Sequence, residues 1–223
     1  MCDMTTDEFI AALRDADSAT VSNAVERLGV RDRTEGYSDV RLRCLVPQSE
    51  PMVGYAVTVT IDSTTPGLTP DNSRFADLMA AVAASPKPCV VVCAESGPAP
   101  GRGCHMGDVV GARLARNGAV GVVSGSGIRD VAGIRELGLT AFALGAVVSH
   151  GVWTITAVGV EVEVAGLRIG PGDLLHGNDD GLLVVPGDHP EQLLELIEEI
   201  RVRESESKRL SRVPSCDPLL MPE

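Results

Sequence analysis

A regular alternation of short apolar runs with helical segments restricts the fold more than any other feature of the sequence. The pattern contains, in order, a strand over 88–94, a helix over 107–118, a strand over 119–125, a helix over 129–138 and a strand over 140–145. Both helical segments end in a glycine, which suits a helix C-terminus. Strands and helices at this spacing indicate parallel pairing through right-handed crossovers. We therefore predict a parallel layer over residues 88–145.

Two other regions have a pattern typical of antiparallel sheet. Residues 53–61 (VGYAVTVTI) alternate and are rich in β-branched side chains. Residues 157–186 contain closely spaced strands with Pro-Gly and Asp-Gly turns and leave no room for helices. Within them, Asn178-Asp179-Asp180-Gly181 predicts a hairpin turn. These two regions predict an antiparallel layer.

The rest of the chain predicts flanking helices around one core. A capping box, Thr5-Thr6-Asp7-Glu8, opens the first helix, and the connection over 30–50 has no clear periodicity. We predict a single mixed α/β domain over 1–223, with N-terminal helices over 5–29, a core over 53–187, a C-terminal helix over 190–209 and an extended tail over 210–223. A length of 223 residues suits one sizeable core.

Charge and composition exclude several classes of partner. The formal net charge is −12, and aromatic residues make up only 3% of the chain. A phosphate backbone would be repelled, and there is no stacking platform for bases, so we expect no nucleic-acid binding. No run of 18 apolar residues occurs and the N-terminus is acidic and polar, so we expect neither a membrane span nor a secretory signal.

The six cysteines indicate reduced thiols rather than a disulfide framework or a metal site. None belongs to a C-x-x-C pair. Cys89 and Cys93 in CVVVC would lie on the same face of a strand, in the core. Without an export signal, this pattern predicts a cytoplasmic protein.

Ligands of parallel α/β layers collect at the carboxyl ends of strands, where this sequence places three loops: 94–108, 124–130 and the loop after 140–145. The first ends in Met106-Gly107-Asp108-Val109-Val110, at the start of a helix. Free backbone N–H groups and the helix dipole would form an anion-binding cradle there, and Gly107 would let a carboxylate approach closely. The alternative is structural: Gly107 begins the helix and Asp108 complements its dipole.

The second loop delivers an adjacent cation and anion, Arg129 and Asp130. Arginine suits a bidentate grip on a carboxylate, and aspartate suits Mg²⁺, which takes one or two protein carboxylates and keeps several waters. Together they would polarise a 2-oxo acid and neutralise an enolate. In the alternative reading, Asp130 caps the following helix while Arg129 pairs with a surface acid.

Other polar residues give weaker signals. The four histidines lack zinc-site spacing, and His105 stands alone in the first loop, where such a residue more often faces solvent. Ser96 and Ser126 are not in a G-x-S-x-G motif, so a serine hydrolase has little support.

The run MGDVVGARLARNGAVGVVSGSGIRDVAGIRELGLTAFALG resembles the family of the regulator of ribonuclease E activity A. That family includes the class II 4-hydroxy-4-methyl-2-oxoglutarate/4-carboxy-4-hydroxy-2-oxoadipate aldolases. The runs SATVSNAVERLG, VGYAVTVT and PGDLLHGNDDGLLVVP also fit in the right order, so the resemblance extends over most of the chain. It implies a swivelling β/β/α-type fold that assembles as trimers or pairs of trimers, with sites near subunit contacts.

The resemblance also implies roles for particular residues. By position, Asp130 would ligate Mg²⁺ or Mn²⁺, Arg129 would hold the substrate, and backbone N–H groups from Gly107 through Val110 would bind the pyruvate carboxylate. The implied reaction is retro-aldol cleavage of a 4-hydroxy-2-oxo diacid to pyruvate. Oxaloacetate decarboxylation follows the same logic, since both pass through a metal-stabilised pyruvate enolate. The resemblance therefore favours the functional reading of Arg129 and Asp130.

Four positions depart from the family pattern, each by loss of an acid. An acid three residues after the Arg-Asp pair is replaced by Gly133, and one before the turn to the arginine by Gly125. Asn23 and Asn178 stand where the N-terminal helix and the late hairpin usually carry aspartates. Asp108 remains and would hold a water near the metal.

Two function classes follow from these observations. The first is a divalent-metal lyase, with Mg²⁺ or Mn²⁺ as cofactor and a small 2-oxo acid as substrate. The second is a non-catalytic regulatory binding protein of the ribonuclease-E-inhibitor type, whose acidic oligomer surface would meet a basic protein partner. The lost acids also leave open a metal-binding relative with a different oxo or hydroxy acid as substrate.

Overall fold

A nine-stranded mixed sheet carries most of the chain, and helices flank it. The computed structural model describes residues 4–211. In chain order the elements are α1 (Thr6–Arg14), α2 (Ser18–Leu28), β1 (Arg43–Val46), β2 (Met52–Asp62), α3 (Phe75–Ala84), β3 (Cys89–Glu95), β4 (Cys104–Met106), α4 (Asp108–Arg116), β5 (Ala119–Ile128), α5 (Val131–Glu136), β6 (Thr140–Ala146), β7 (Thr154–Val158), β8 (Val162–Val164), β9 (Leu167–Ile169), β10 (Leu174–Asn178), β11 (Gly181–Val185) and α6 (Pro190–Ser211).

The order of strands in the large sheet is β1-β6-β5-β3-β2-β10-β11, with β4 beside β5 and β7 beside β2. Strands β2, β3, β5 and β6 run parallel, whereas β1, β7, β10 and β11 pair antiparallel to their neighbours. The predicted mixed α/β fold class is therefore confirmed. The two predicted layers are one continuous sheet, because β2 pairs in parallel with β3 and antiparallel with β10 and β7.

Alternating side chains of the central strands bury both faces of the sheet. In β3, Cys89, Val91 and Cys93 join the core beneath α3, α4 and α5, and the prediction that both cysteines share a buried face is confirmed. Val90 and Val92 point the other way, into a second core that the β8–β9 hairpin covers. A third cluster holds α1, α2 and α6 against β10 and β11.

Several local features match the sequence patterns. Thr5 and Glu8 form the predicted capping box at α1, and Gly29 ends α2 in the left-handed region with φ of 70°. The predicted hairpin turn joins β10 to β11, with Asn178 opposite Gly181. None of the helices described here is long and apolar enough to cross a membrane.

Other boundaries differ from the predictions. The connection over 30–50 contains β1, and β5 continues to Ile128, so the segment 124–127 is a strand with a register shift rather than a loop. Helix α3 begins after Arg74, and no side chain caps it. Helix α6 includes residues 210 and 211, and the rest of the predicted extended tail lies outside the described residues.

Candidate functional site

A cavity of about 590 Å³ opens at the carboxyl end of β5. Its lining comes from β4 and the first turns of α4, from the residues after β5, from the loop after β6 and from the start of α3. Two of the three predicted loops, 94–108 and the loop after β6, contribute directly. The second predicted loop contributes through its last two residues, because the preceding residues belong to β5. The topology therefore brings the predicted residues Gly107, Asp108, Val109, Val110, Arg129 and Asp130 to one cavity.

The first turn of α4 presents unpaired backbone donors. Gly107 is the N-cap, has no side chain to cap the helix, and accepts the first internal hydrogen bond, from Gly111 N at 2.9 Å. The N–H groups of Asp108, Val109 and Val110 precede that bond, so they have no partner within the helix. Together with the helix dipole, they give this wall of the cavity the properties of a carboxylate cradle.

Arg129 and Asp130 lie opposite that cradle. Arg129 N donates to Met106 O at 2.9 Å, which ties the end of β5 to β4. Asp130 occupies the N-cap position of α5 in the left-handed region (φ 53°), but its side chain makes no capping hydrogen bond. The carboxylate lies beside Arg129 instead, with Oδ2 3.3 Å from Nε. The structural reading in which this side chain caps α5 is therefore not what the geometry shows.

The guanidinium of Arg129 has an unsatisfied donor. Its Nε is buried and makes no hydrogen bond within residues 4–211, although Asp130 Oδ2 lies 3.3 Å away. One terminal nitrogen lies 3.4 Å from Nδ1 of His150, in the loop after β6. Buried donors in native proteins nearly always have a partner, so this one fits a bound anion.

The donor set also fits a hydrated divalent cation. Asp130 offers a carboxylate that is 42% exposed and not used for capping. No group of three His, Cys, Asp or Glu residues able to hold a metal occurs in the described part of the chain. A closed zinc-type site is therefore not formed by these residues, whereas Mg²⁺ needs only one or two protein carboxylates and keeps its waters.

Gly107 packs directly against the Asp130 side chain. A Cβ at position 107 would lie 2.5 Å from Asp130 Oδ2 and 3.3 Å from Arg129 Nε. The backbone at 107 is extended, with φ of −128°, so the need for glycine here comes from the close approach.

If the cavity catalyses the pyruvate release that the sequence predicts, Gly107→Ala should lower kcat/KM about 10- to 100-fold by displacing the carboxylate of Asp130, while the free energy of unfolding changes by no more than about 1 kcal/mol. Pyruvate-release kinetics and urea unfolding measure the two effects. Gly187→Ala is the matched control, since a Cβ there meets nothing within 4 Å. Unchanged kinetics for Gly107→Ala would show that this contact does not matter.

Asp108 occupies the space in front of Gly133. A Cβ at 133 would lie 2.8 Å from Asp108 Cβ and 3.0 Å from Oδ2. The carboxylate of Asp108 and an acid at position 133 would therefore compete for one location. The other departures, at Gly125, Asn23 and Asn178, are not among the residues that line this cavity.

The far wall contains residues that the sequence reasoning missed. Arg113 stacks over Phe75, with Cζ 5.4 Å from the ring centroid. Phe75 in turn contacts Trp153, with centroids 6.2 Å apart at 50°. Trp153 is the last residue of the loop after β6 and the only tryptophan of the chain, which is the one signal the sequence offered. Helix periodicity alone did not distinguish Arg113 from the other basic residues of α4.

A buried polar network supports this wall. His105 is fully buried rather than facing solvent, with Nδ1 3.0 Å from Ser124 Oγ and Nε2 3.2 Å from Glu95 Oε2. Trp153 Nε1 donates to the carbonyl oxygen of His105 at 2.9 Å. Burial alone would raise the pKa of Glu95, but hydrogen bonds from His105, Ser63 and Gly97 outweigh it and lower that pKa to about 2. The network therefore holds an ionised carboxylate behind the cavity.

Comparison with known families and proteins agrees with this architecture. The family described as RraA-like (Aldolase/RraA) matches residues 13–184. A candidate 4-hydroxy-4-methyl-2-oxoglutarate aldolase of Halalkalibacterium halodurans is 26% identical over 192 residues, covering 84% of this chain and 81% of that protein. Protein DlpA of Legionella pneumophila is 28% identical over 104 residues, which cover 46% of this chain and only 17% of that much longer protein.

A solved structure shows the same fold. RraAS2 of Streptomyces coelicolor, described as an unusual member of the RNase ES inhibitor RraA protein family, superimposes with a TM-score of 0.70. The two sequences are 23% identical, and the match covers 96% of this chain and 100% of that one. At this identity, the likeness establishes the shared fold and leaves the chemistry to be argued from the site.

Proposed function

From the premise that the chain belongs to the RraA-like family, which includes both 4-hydroxy-4-methyl-2-oxoglutarate aldolases and RNase E inhibitors, we propose that it is a divalent-metal-dependent lyase acting on a 2-oxo acid. The proposed reaction is retro-aldol cleavage of a 4-hydroxy-2-oxo diacid to pyruvate, with oxaloacetate decarboxylation as the related activity. The observation that carries the proposal is the buried Nε of Arg129, which makes no hydrogen bond, beside a carboxylate of Asp130 that does not cap α5, opposite the free N–H groups of α4.

The backbone cradle, Arg129 and Asp130 each have a separate role in binding the substrate. The backbone N–H groups of Asp108, Val109 and Val110 bind the carboxylate next to the 2-oxo group. Arg129 donates through Nε and its terminal nitrogens to the same end of the substrate. Asp130 would hold Mg²⁺ or Mn²⁺, which when bound supplies electrostatic stabilisation of negative charge on the 2-oxo oxygen.

Both candidate reactions develop negative charge on the 2-oxo oxygen. In the aldol cleavage the 4-hydroxyl group loses its proton and its oxygen forms a carbonyl group at C4. The C3–C4 bond breaks, and the electron pair of that bond forms the enolate of pyruvate, which is then protonated at C3. In the decarboxylation the bond from C3 to the leaving carboxylate breaks in the same sense. Arg129 lies where its positive charge would stabilise this negative charge. The carboxylate of Asp108 would hold the water that takes the hydroxyl proton.

A pyruvate-coupled assay over 4-hydroxy-2-oxo diacids and oxaloacetate, with and without Mn²⁺, tests the proposal. We expect pyruvate release that requires the added cation and stops with EDTA. Release that is indifferent to chelation, or no release from any substrate of the panel, would contradict it.

A second candidate function is that of a regulatory protein that binds a basic partner, and the net charge of the chain is the observation that supports it. The chain has a formal net charge of −12, and the family includes RNase E inhibitors. This function predicts capture of a purified ribonuclease with a basic surface, unaffected by EDTA and weakened by salt. It also predicts that Arg129 and Asp130 variants bind the ribonuclease as well as the wild type does.

Self-association as a trimer or a hexamer is part of the proposal, and light scattering coupled to size-exclusion chromatography distinguishes the two.

A cytoplasmic location stays a prediction. The four described cysteines, Cys44, Cys89, Cys93 and Cys104, are free thiols.

A further inference from the structure

The cavity contains a second guanidinium, that of Arg113, on the wall away from Asp130. Arg113 lies five residues beyond Asp108, so it is about 7.5 Å further along the axis of α4 than the amide cradle. Its side chain stacks over Phe75, and the described structure gives its guanidinium no ion pair and no hydrogen bond. Five N–H donors are therefore available at this end of the cavity.

Neighbouring residues on α4 do not compensate this charge. The positions three and four residues away carry Val109, Val110, Arg116 and Asn117, so no acid can form the usual helical ion pair. A structural role at the negative end of the helix dipole is shared with Arg116, which lies in the same last turn but outside the cavity. Arg113 differs from Arg116 in facing the cavity and in resting on an aromatic ring.

We propose that Arg113 binds the distal carboxylate of the substrate and thereby selects 2-oxo diacids over 2-oxo monoacids of the same chain length. This inference rests on the proposed function for the position of the first carboxylate, at the start of α4. Stacking on the Phe75 ring fixes the orientation of the planar guanidinium before the substrate binds. Less rotamer freedom is therefore lost when a planar carboxylate binds.

The aromatic wall strengthens this selection. Phe75 covers one face of the Arg113 guanidinium and contacts Trp153, and both rings are partly buried, so Phe75 excludes water from that face. A charge pair with an exposed arginine is weak in bulk water, but it gains strength where an apolar surface lowers the local dielectric. A diacid spanning the cavity would therefore gain affinity from both guanidinium groups, whereas a monoacid would leave Arg113 unpaired.

Binding of two non-cleavable ligands, 2-oxoglutarate and 2-oxopentanoate, tests the inference by calorimetry in the presence of Mn²⁺. We expect the wild type to bind 2-oxoglutarate about 10- to 100-fold more tightly. In Arg113→Gln this preference should fall to within about threefold, with the affinity for 2-oxopentanoate unchanged. Arg113→Lys should keep part of the preference, because it keeps the charge but loses the bidentate geometry. Arg116→Gln, the matched control, should bind both ligands as the wild type does.

The outcomes separate this inference from the proposed function. Equal or absent binding of the two ligands by the wild type, or an undiminished preference in a folded Arg113→Gln variant, would overturn it. A preference that depends on Arg113 without pyruvate release from any substrate would support the inference and reject the lyase. Pyruvate release from diacids and matched monoacids with equal KM would reject the inference alone.

Discussion

Asp130→Asn is expected to lower metal-dependent pyruvate release by about a thousandfold or more, because the carboxylate that lies beside both Arg129 and the amide cradle, and that would hold the metal, is lost. The fold should survive the substitution. Asp130 is 42% exposed, makes no capping hydrogen bond and has a φ of 53°, which asparagine tolerates as well as aspartate does. Steady-state kinetics with Mn²⁺ and thermal unfolding measure these two effects, and calorimetric titration of Mn²⁺ shows whether metal binding is lost.

Glu136→Gln provides the matched control for Asp130→Asn. Glu136 is an exposed acid on the same short helix, α5, and does not line the cavity. It is also the nearest acid on that helix to Gly133, so the control asks whether Glu136 replaces the lost acid. We expect kinetics within about twofold of the wild type, as for most surface substitutions. Retained Mn²⁺-dependent turnover in Asp130→Asn would reject Asp130 as the metal ligand, and with it the proposed arrangement of the site.

The wall of the cavity that contains Gly107 and Arg129 was predictable, because the topology of the sheet determines where these residues lie. The sequence alternates helical segments that end in glycine with apolar runs, and this pattern indicates parallel strands. The carboxyl ends of parallel strands meet at one edge of the sheet. Gly107 and Arg129 are separated by an entire helix and strand, yet this rule places them together, and the structure has both in the lining of one cavity. Their roles stay predictions until the variants are measured.

The far side was not predictable, because its residues come from separate elements without a common pattern. Phe75 begins α3, Arg113 lies in α4, and Trp153 precedes β7. No local periodicity relates these three positions, and their contact depends on how α3 and α4 pack on the same face of the sheet. His105 was likewise expected to face solvent, since the sequence does not show that Glu95 and Ser124 meet it from two neighbouring strands.

The continuity of the sheet was missed for a related reason. Alternation in residues 53–61 identifies a strand but not its partners. β2 has eleven residues, enough to pair with β3 along one edge and with β10 and then β7 along the other. The Ser-Gly-Ser-Gly segment has the composition of a loop, yet Ser124 Oγ and Ser126 Oγ bond to Gly127 O and Gly103 O and hold it in β5.

Glu95→Gln is expected to have the largest effect on stability, and the effect should depend on pH. The side chain of Glu95 is 1% exposed, and its pKa falls from 4.5 to about 2 in the folded protein. Because the folded pKa is lowered, the contribution of this carboxylate is complete above about pH 5 and disappears as the pH falls toward 2. The difference between the two pKa values corresponds to about 3 kcal/mol at neutral pH.

Urea unfolding of the wild type and Glu95→Gln between pH 7 and pH 3 measures this contribution directly. At pH 7 we expect the variant to lose about 3 kcal/mol in the free energy of unfolding, because His105 and Ser63 lose a charged hydrogen-bond partner. As the pH falls below 4.5, the gap should narrow and reach less than about half its neutral-pH size at pH 3, since a protonated Glu95 resembles the amide that replaces it. Comparing the two proteins at each pH cancels the contributions of the other carboxylates, and Glu136→Gln should show no comparable gap. A difference that stays constant with pH would mean that Glu95 acts through packing rather than through its charge.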